Sequence, residues 1–186
     1  MLTEMEKMQA GLPFYALDQE ISALRARAQE LTFKYNQIVS NDRAARYEVL
    51  QALLGSVSPE VSIESNFHCD YGVNIHVGKN FIANFNLTVL DIAKVTIGDN
   101  VLIAPNVQLY TVDHPLDPAE RNTLKLLAQP ITIGNNVWIG GGVIVLPGVT
   151  IGDNSVIGAG SVVTKDIPAN SLAFGNPCKV VKQLAN

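Results

Sequence analysis

The chain has 186 residues, which suits one domain or one domain with a small appendage. Its net charge of −4 and pI near 5.3 argue against nucleic acid or an anionic membrane surface as the main partner. The two cysteines, Cys69 and Cys178, lack metal or disulfide spacing, and no run approaches the roughly 18 apolar residues of a membrane span. We therefore expect a cytoplasmic protein with free thiols.

Residues 1–55 have the composition of an N-terminal helical segment. Apolar residues recur there at spacings of three or four, which predicts a helix capped by Asp18; they are Ile21, Leu24, Ala28, Leu31, Tyr35 and Ile38. A second helix is predicted from Asp42 to Leu54, and a short one from Met1 to Gln9. Because a segment of about 55 residues is marginal as an independent fold, we expect its apolar stripe to pack on the following domain.

A repeat of six residues occupies residues 56–186 and is clearest from Ile133 to Pro168. There it reads IGNNVW, IGGGVI, VLPGVT, IGDNSV, IGAGSV and VTKDIP, and each hexad opens with an aliphatic residue. A period of six fits neither a helix nor a strand alone, so each hexad is interpreted as one short strand plus a turn. Three hexads then close one triangular coil of a parallel β-helix whose opening residues stack into a core. The predicted fold class is mainly β.

The repeat is less regular before Ile133. Read backward from Val77, its opening positions fall at Tyr71, Ser65 and Pro59. The step from Val89 to Ile97 is eight residues, and we expect this two-residue insertion to aim the side chain of Asp91 outward. The pattern then fails over about residues 111–130, which predicts a protruding loop of the kind that carries function. A C-terminal tail with Lys179 and Lys182 on a final turn or strand follows Pro168.

Three histidines are candidates for chemistry: His68, His76 and His114. His114 lies in the protruding loop before Pro115, and a neutral imidazole is the usual group that removes a proton from a hydroxyl near pH 7. Zinc ligation of the carbonic-anhydrase type needs a closer histidine pair, so no metal is expected. No Gly-x-Ser-x-Gly elbow occurs, and neither cysteine is followed by an obvious base partner, which argues against a covalent intermediate.

Several stretches together resemble the maltose and galactoside O-acetyltransferases, a family of the hexapeptide-repeat acyltransferase superfamily. They are KMQAGLPFYALD, the RAR helix, CDYGVNIHVGKNFIANFN, DNVLIAPNV, DHPLDPAER, the hexads from ITIGNNVWIGG to VVTKDIP, and GNPCKVV. The resemblance implies a left-handed parallel β-helix with an N-terminal helical segment. It also implies a homotrimer that binds acetyl-coenzyme A and a sugar acceptor in clefts between neighbouring subunits and transfers the acetyl group directly to a hydroxyl.

The resemblance assigns roles to residues by position. His114 matches the general base, Asn84 matches a contact of the base or the acceptor, and Asp70 and Asp91 match acceptor-side positions. Asp18 is the candidate for an acidic residue of the sugar pocket. The positions that match the cofactor wall are Trp138, Gly141, Ala159, Thr164, Lys165, Lys179 and Lys182. The backbone N–H groups of Gly140–Gly142 are candidates for the oxyanion donors.

The sequence also allows acceptors other than a sugar, and a function other than catalysis. An antibiotic or a serine O-acetyltransferase would use the same scaffold, although the first usually lacks the helical segment and the second usually carries a longer helical domain. The stretches CDYG and HPLDPAER resemble maltose-type members, whereas ANFNLTVLD resembles the galactoside type. A trimeric β-helix without catalytic activity is the remaining alternative, and the presence of His114, Asn84, Trp138 and Lys165 argues against it.

Overall fold

The computed structural model describes residues 2–185, which form a left-handed parallel β-helix with a helical segment over its N-terminal end. The predicted helix start at Met1 lies outside the described residues. The N-terminal segment comprises α1 (Glu4–Gln9), β1 (Phe14–Tyr15), α2 (Gln19–Gln37) and α3 (Arg43–Leu53). Side-chain caps fix where the two longer helices begin, because the first N–H groups of a helix have no partner within it. Asp18 caps α2 as predicted, and Asp42 caps α3.

The β-helix has three faces, and its strands visit them in turn. Face 1 contains β2 (Ser62–Ile63), β5 (Ile82–Ala83), β8 (Leu102–Ile103), β13 (Trp138–Ile139), β16 (Val156–Ile157), β18 (Ser171–Phe174) and the antiparallel β19 (Lys179–Gln183). Face 2 contains β3 (His68–Cys69), β6 (Thr88–Leu90), β9 (Gln108–Tyr110), β14 (Ile144–Val145) and β17 (Val162–Val163). Face 3 contains β4 (Ile75–Val77), β7 (Val95–Ile97), β12 (Ile131–Ile133) and β15 (Thr150–Ile151). We name the corners 1–2, 2–3 and 3–1 after the faces that they join.

The opening residues of the hexads stack into the core, as predicted. Ile139 pairs in register with Ile103 in one neighbouring coil and with Ile157 in the other, and all three are buried. Val145 and Val163 stack in the same way on face 2, and Ile133 and Ile151 on face 3. The helical segment contributes to this core through one side of α2 and α3, including Ala28, Tyr35 and Val49. The β-helix and the helices therefore share one principal apolar core.

The predicted register of the first coil is wrong. The residues that stack on Ala83 and Val89 are Ile63 and Cys69, whereas the sequence pattern assigned the opening positions to Ser65 and Tyr71. The reason is that the step from Cys69 to Val77 is also eight residues. Counting back from Val77 in steps of six therefore places each opening position two residues too late in the sequence. Tyr71 is buried, but in a second apolar cluster outside the β-helix core.

Asparagines form a column along corner 3–1. Asn80, Asn100, Asn136, Asn154 and Asn170 all have positive φ. The amide of Asn136 donates to the Oδ1 of Asn154 at 2.9 Å and its own Oδ1 accepts from Asn100 at 3.1 Å. Asparagine tolerates the left-handed conformation better than other residues with a Cβ atom, and the stacked amides satisfy one another. Next to this column a Cβ atom on Gly134 would lie 2.8 Å from the backbone nitrogen of Asp153, so the coils approach too closely for a side chain there.

The helical segment closes the first coil by taking up its backbone groups. The Tyr35 hydroxyl donates to the carbonyl oxygen of Ile63 at 2.5 Å, and the buried Arg46 donates to the same oxygen. The amide of Asn36 donates to the Phe67 carbonyl at 2.8 Å and accepts from the Phe67 N–H at 3.0 Å. The Arg46 guanidinium stacks over the Tyr35 ring at 4.3 Å. Side chains of the helices thus supply hydrogen bonds that a preceding coil would otherwise supply.

The asparagine column predicts a difference between two substitutions at Asn136. Asn136→Ala keeps a positive φ without a compensating amide, so we expect a loss of about 1–2 kcal/mol in the free energy of unfolding. Asn136→Gly loses the same hydrogen bonds, but glycine adopts a positive φ without strain. The glycine variant should therefore lose less free energy of unfolding than the alanine variant. Urea unfolding at one fixed protein concentration measures both. An alanine variant as stable as the glycine variant would contradict this account.

Candidate functional site

Before Ile133, the residues that exceed the six-residue spacing all leave the β-helix at corner 2–3. They are the insertions after Cys69 and after Val89, and the long excursion between β9 and β12. That excursion, residues 111–130, contains β10 (Val112–Asp113), α4 (Pro118–Arg121) and β11 (Lys125–Ala128). We call it the corner loop. The topology therefore brings Asp70, Asp91 and His114 to one corner of successive coils.

The corner loop is attached to the β-helix through Thr111, which is buried. Its Oγ1 donates to the Leu90 carbonyl at 2.7 Å and accepts from the Ala93 N–H at 2.9 Å. Its own carbonyl oxygen accepts from the Gln129 N–H at 2.8 Å, which ties the two ends of the loop together. The side chain of Thr111 thus joins the start of the corner loop to the preceding insertion, and its backbone carbonyl joins the start of the loop to its end.

Above this attachment β10 and β11 pair as an antiparallel hairpin, and β11 also pairs with β1 of the N-terminal segment. His114 follows directly after β10 and is exposed. Arg121 donates to the carbonyl oxygens of Pro115 and Leu116, each at 3.1 Å, which fixes the backbone just beyond the histidine. The side chain of Leu116 is 94% exposed. His114 is therefore carried on a structured loop with its imidazole accessible.

The expectation that the insertion aims Asp91 outward is wrong. Asp91 is fully buried, and its Oδ1 accepts from the backbone N–H groups of Asp70 at 3.0 Å and Tyr71 at 2.9 Å. Its Oδ2 lies 3.4 Å from the N–H of Asn74. Burial raises the pKa of Asp91 to about 7, against the lowering effect of these donors. The turn of residues 70–74 has N–H groups that need an acceptor, and Asp91 holds this turn in place.

That turn presents Asp70 to Arg25 of α2. The Arg25 Nε lies 3.7 Å from the Asp70 Oδ1, and the guanidinium lies 5.5 Å from the centre of the Tyr71 ring. The Nε is buried and has no hydrogen-bond partner among residues 2–185. Burial raises the pKa of Asp70, and the neighbouring Arg25 partly opposes this. A partly buried pair of opposite charge with an unused donor is suited to bind a polar ligand.

Sequence reasoning did not single out Arg25. A signal was present, because Arg25 is four residues after Ile21 and three before Ala28 and so falls on the apolar stripe of α2. Asp18 lies at the N-cap of the same helix, about two turns earlier. Its Oδ1 accepts from the N–H groups of Glu20 at 2.9 Å and Ile21 at 3.4 Å. Asp18 is thus engaged in starting the helix that carries Arg25.

A second group of candidate residues lies on face 1 and at corner 1–2. Trp138 points outward from face 1 and is exposed. Asn84, Gly141 and Ala159 follow the strands of face 1 and occupy corner 1–2. Lys182 pairs with Leu172 and Lys179 with Phe174, and directly paired residues share a side of the sheet. Both lysines therefore lie on the outer side of face 1, as Trp138 does.

The remaining predicted cofactor residues, Thr164 and Lys165, follow β17 and therefore lie at corner 2–3. One chain consequently does not gather the predicted set. Corner 2–3 holds His114, Thr164 and Lys165, whereas corner 1–2 and face 1 hold Asn84, Trp138 and the others. The physical reason is that residues close in sequence are sent to different corners of the triangular coil. Two copies of the chain would be needed to bring the two groups together.

The glycine turn at corner 1–2 also departs from expectation. The N–H groups of Gly140 and Gly142 donate to the carbonyl oxygens of Ile157 at 2.8 Å and Pro105 at 2.9 Å. These two N–H groups belong to the ladder between coils and are not free to stabilise an oxyanion. The prediction of an oxyanion donor in this turn is thus wrong for Gly140 and Gly142 and leaves Gly141.

Histidines do not converge in this structure. His68 lies on face 2, His76 on face 3 with its Nδ1 3.1 Å from the Ser56 hydroxyl, and His114 in the corner loop. Within residues 2–185, no group of three or more histidine, cysteine or acidic side chains is arranged to hold a metal ion. In the same range, no helix has the length and apolar character needed to cross a membrane.

Comparison with known proteins agrees with this architecture. The maltose acetyltransferase hexapeptide capping motif matches residues 7–58, and the six-repeat bacterial transferase hexapeptide matches residues 130–165. The galactoside O-acetyltransferase of Escherichia coli is 46% identical over 179 residues, which cover 96% of this chain and 88% of that protein.

Two solved structures are similar over the full length of the chain. A maltose O-acetyltransferase from Clostridium difficile has a TM-score of 0.98 at 51% identity, covering 100% of this chain and 99% of the other. A hexapeptide-repeat acetyltransferase from Vibrio cholerae, complexed with acetyl-coenzyme A, has a TM-score of 0.92 at 39% identity and full coverage of both chains.

The fold and the repeats define the class as hexapeptide-repeat acyltransferases, and the protein is an enzyme of this class. Within it, the chain belongs to the maltose and galactoside O-acetyltransferase family. The resemblance found in the sequence is confirmed.

The environment of Asp91 predicts a graded response to substitution. Asp91→Ala leaves the N–H groups of Asp70 and Tyr71 without their acceptor, at about 1–3 kcal/mol for each buried group. Asp91→Asn can keep one oxygen at the position of Oδ1, so it should cost less than half as much. Urea unfolding of the two variants tests this, and equal losses would show that the charge matters more than the acceptor.

Proposed function

We propose that the protein transfers the acetyl group of acetyl-coenzyme A directly to a hydroxyl of a sugar, with His114 as the general base. The observation that carries the proposal is the position of His114. Its imidazole is accessible at the end of β10, on a loop that leaves the same corner as the turn bearing Asp70. Family membership supports the acetyl transfer, and the names of the relatives support maltose- or galactoside-type acceptors.

Acetyl-coenzyme A fits the surface formed by face 1 and corner 1–2. Trp138 offers an exposed flat ring, and Ala159 is exposed at the adjoining corner with only a methyl side chain. Lys179 and Lys182 share the outer side of face 1 and would attract phosphate groups as point charges. The Vibrio cholerae relative is complexed with acetyl-coenzyme A, which supports the same co-substrate here.

We further propose that the active site forms between copies of the chain in a homotrimer. Thr164 and Lys165 at corner 2–3 of one subunit would then complete the cofactor wall on face 1 of its neighbour, and His114 would approach Asn84. Face 1 has apolar residues on its outer side: Ile82 and Leu102 stack in register and are 51% and 47% exposed. An exposed apolar column of this kind is typical of a surface that a second subunit covers.

On the acceptor side, Arg25 and Asp70 are suited to bind sugar hydroxyls. Hydroxyls both donate and accept hydrogen bonds, so they match a carboxylate beside a guanidinium whose Nε is unused. Asp91 would act by holding the turn that presents Asp70, and Asp18 by beginning the helix that presents Arg25.

The chemistry follows from these positions. Acetyl-coenzyme A supplies the acetyl group as a thioester. His114 accepts the proton of the acceptor hydroxyl, whose oxygen forms the new bond to the acetyl carbon as the carbon–sulfur bond breaks. The protonated imidazole then returns this proton to the sulfur. Lysines on face 1 and the Arg25–Asp70 pair contribute by holding the two substrates in line.

Replacing the base tests this assignment. His114→Ala should lower kcat by about 10²–10⁴-fold, because general-base catalysis contributes about that factor. Thiol release from acetyl-coenzyme A measures turnover, and quenching of the single tryptophan, Trp138, reports cofactor binding, which should persist. His68→Ala is the matched control and should keep normal turnover.

The acceptor panel for this assay contains maltose, glucose, galactosides, serine and a hydroxylated antibiotic. Turnover with serine or the antibiotic alone would overturn the sugar assignment. Wild-type turnover by His114→Ala would overturn the role of the base. Absence of turnover with every acceptor would favour a scaffold.

The subunit arrangement has its own test. Leu102→Glu places a charge in the apolar column of face 1, so we expect the sedimentation coefficient to fall from that of a trimer to that of a monomer. Thr132→Glu introduces the same charge on the polar outer side of face 3 and should leave the assembly intact. If Leu102→Glu sediments like the wild type, face 1 is not the interface.

A further inference from the structure

A second apolar cluster lies outside the core of the β-helix, on the side of corner 2–3. Its buried members are Met8, Phe14, Ile21, Tyr71, Ile92, Leu126 and Ala128. They come from three parts of the chain: the N-terminal segment, the two short insertions, and the returning strand of the corner loop. The cluster therefore joins the N-terminal segment to the loop that carries His114.

Phe14 is the buried residue of β1, the strand of the N-terminal segment that pairs with this loop. It is 1% exposed and lies directly opposite Leu126 in the pairing of β1 with β11. The next pair is Tyr15 with Lys125. The N–H of Tyr15 donates to a Glu4 carboxylate oxygen at 2.5 Å, so β1 is itself fixed to α1.

From β11 the connection continues to the base. Asp113 pairs with Leu127 and Val112 with Ala128, and His114 is the next residue after Asp113. The outer part of the loop offers few attachments, because α4 has no buried residue. The position of the imidazole therefore depends on the hairpin, and the hairpin is held by Thr111 on one side and by the contact of Phe14 with β11 on the other.

We propose that Phe14 is a positioning residue for His114, acting through the pairing of β1 with β11. The inference rests on the proposed function, since it concerns the placement of the proposed base. A shift of about 1 Å in a catalytic group can lower the rate about 100-fold. The cluster has no member on face 1, so loss of the Phe14 side chain should lower kcat while leaving the cofactor surface of that face unchanged.

The experiment compares Phe14→Ala, Phe14→Leu and Leu126→Ala with the wild type in the thiol-release assay. We expect kcat to fall about 10- to 100-fold in Phe14→Ala and Leu126→Ala, with the KM for acetyl-coenzyme A within about twofold of wild type. Phe14→Leu keeps most of the apolar volume and should restore most of kcat. Hydrogen exchange at residues 125–128 should accelerate in the two alanine variants.

Leu50→Ala is the control for stability. Leu50 is buried in α3 within the principal core, so this variant should unfold at lower temperature but keep its kcat. Combining Phe14→Ala with His114→Ala should lower kcat no further than His114→Ala alone, because a positioning residue acts through the base.

Each outcome decides between alternatives. Normal kcat in both alanine variants, with His114→Ala impaired, overturns the positioning role and leaves the proposed base in place. Normal turnover in His114→Ala overturns the proposed function itself. If Phe14→Ala does not fold, Leu126→Ala removes the same contact from the other side and decides alone. Equal kcat losses in Leu50→Ala and Phe14→Ala would show a general effect of stability and overturn the inference.

Discussion

The structure depends on one constraint: each coil must present its backbone and its core residues to the next coil in register. A hexad satisfies this with one strand and one corner, and stacked aliphatic residues bury what a single coil would expose. Extra residues can leave only at a corner, because an addition within a strand would displace every later side chain. In this protein they leave at corner 2–3, so the packing rule explains why the corner loop and His114 lie at a corner and not on a face.

The same constraint explains how much of the fold the sequence predicted. From Ile133 to Pro168 the spacing is uninterrupted, and the core follows directly from it. In the first coil Tyr71 is apolar and stands at a place that a count in sixes selects, yet it serves the second apolar cluster. The sequence located the insertion at Asp91 correctly, but the predicted outward direction of the Asp91 side chain was wrong. Unpaired N–H groups of a neighbouring turn draw the carboxylate inward, and such a turn is not visible in a repeat pattern.

For the candidate site, the sequence proposes a set of residues but no arrangement for them. Trp138 and Lys165 occur in the same stretch of hexads, yet the triangular coil sends them to a face and a corner that do not adjoin. A period of six carries no information about a second subunit. Arg25 was overlooked for a different reason. A charged residue on an apolar helix stripe suggests a buried partner, and that partner, Asp70, is more than forty residues away in a turn.

The hydrogen bonds that close the first coil have a consequence for association. The last coil at each end of a β-helix has backbone N–H and C=O groups without a neighbouring coil to pair with. Uncovered ends can therefore pair with the end of another molecule. Tyr35, Asn36 and Arg46 occupy the acceptors and donors of that layer at one end. At the other end β19 turns back antiparallel across face 1. The helical segment and the tail thus disfavour end-to-end stacking of one β-helix on another.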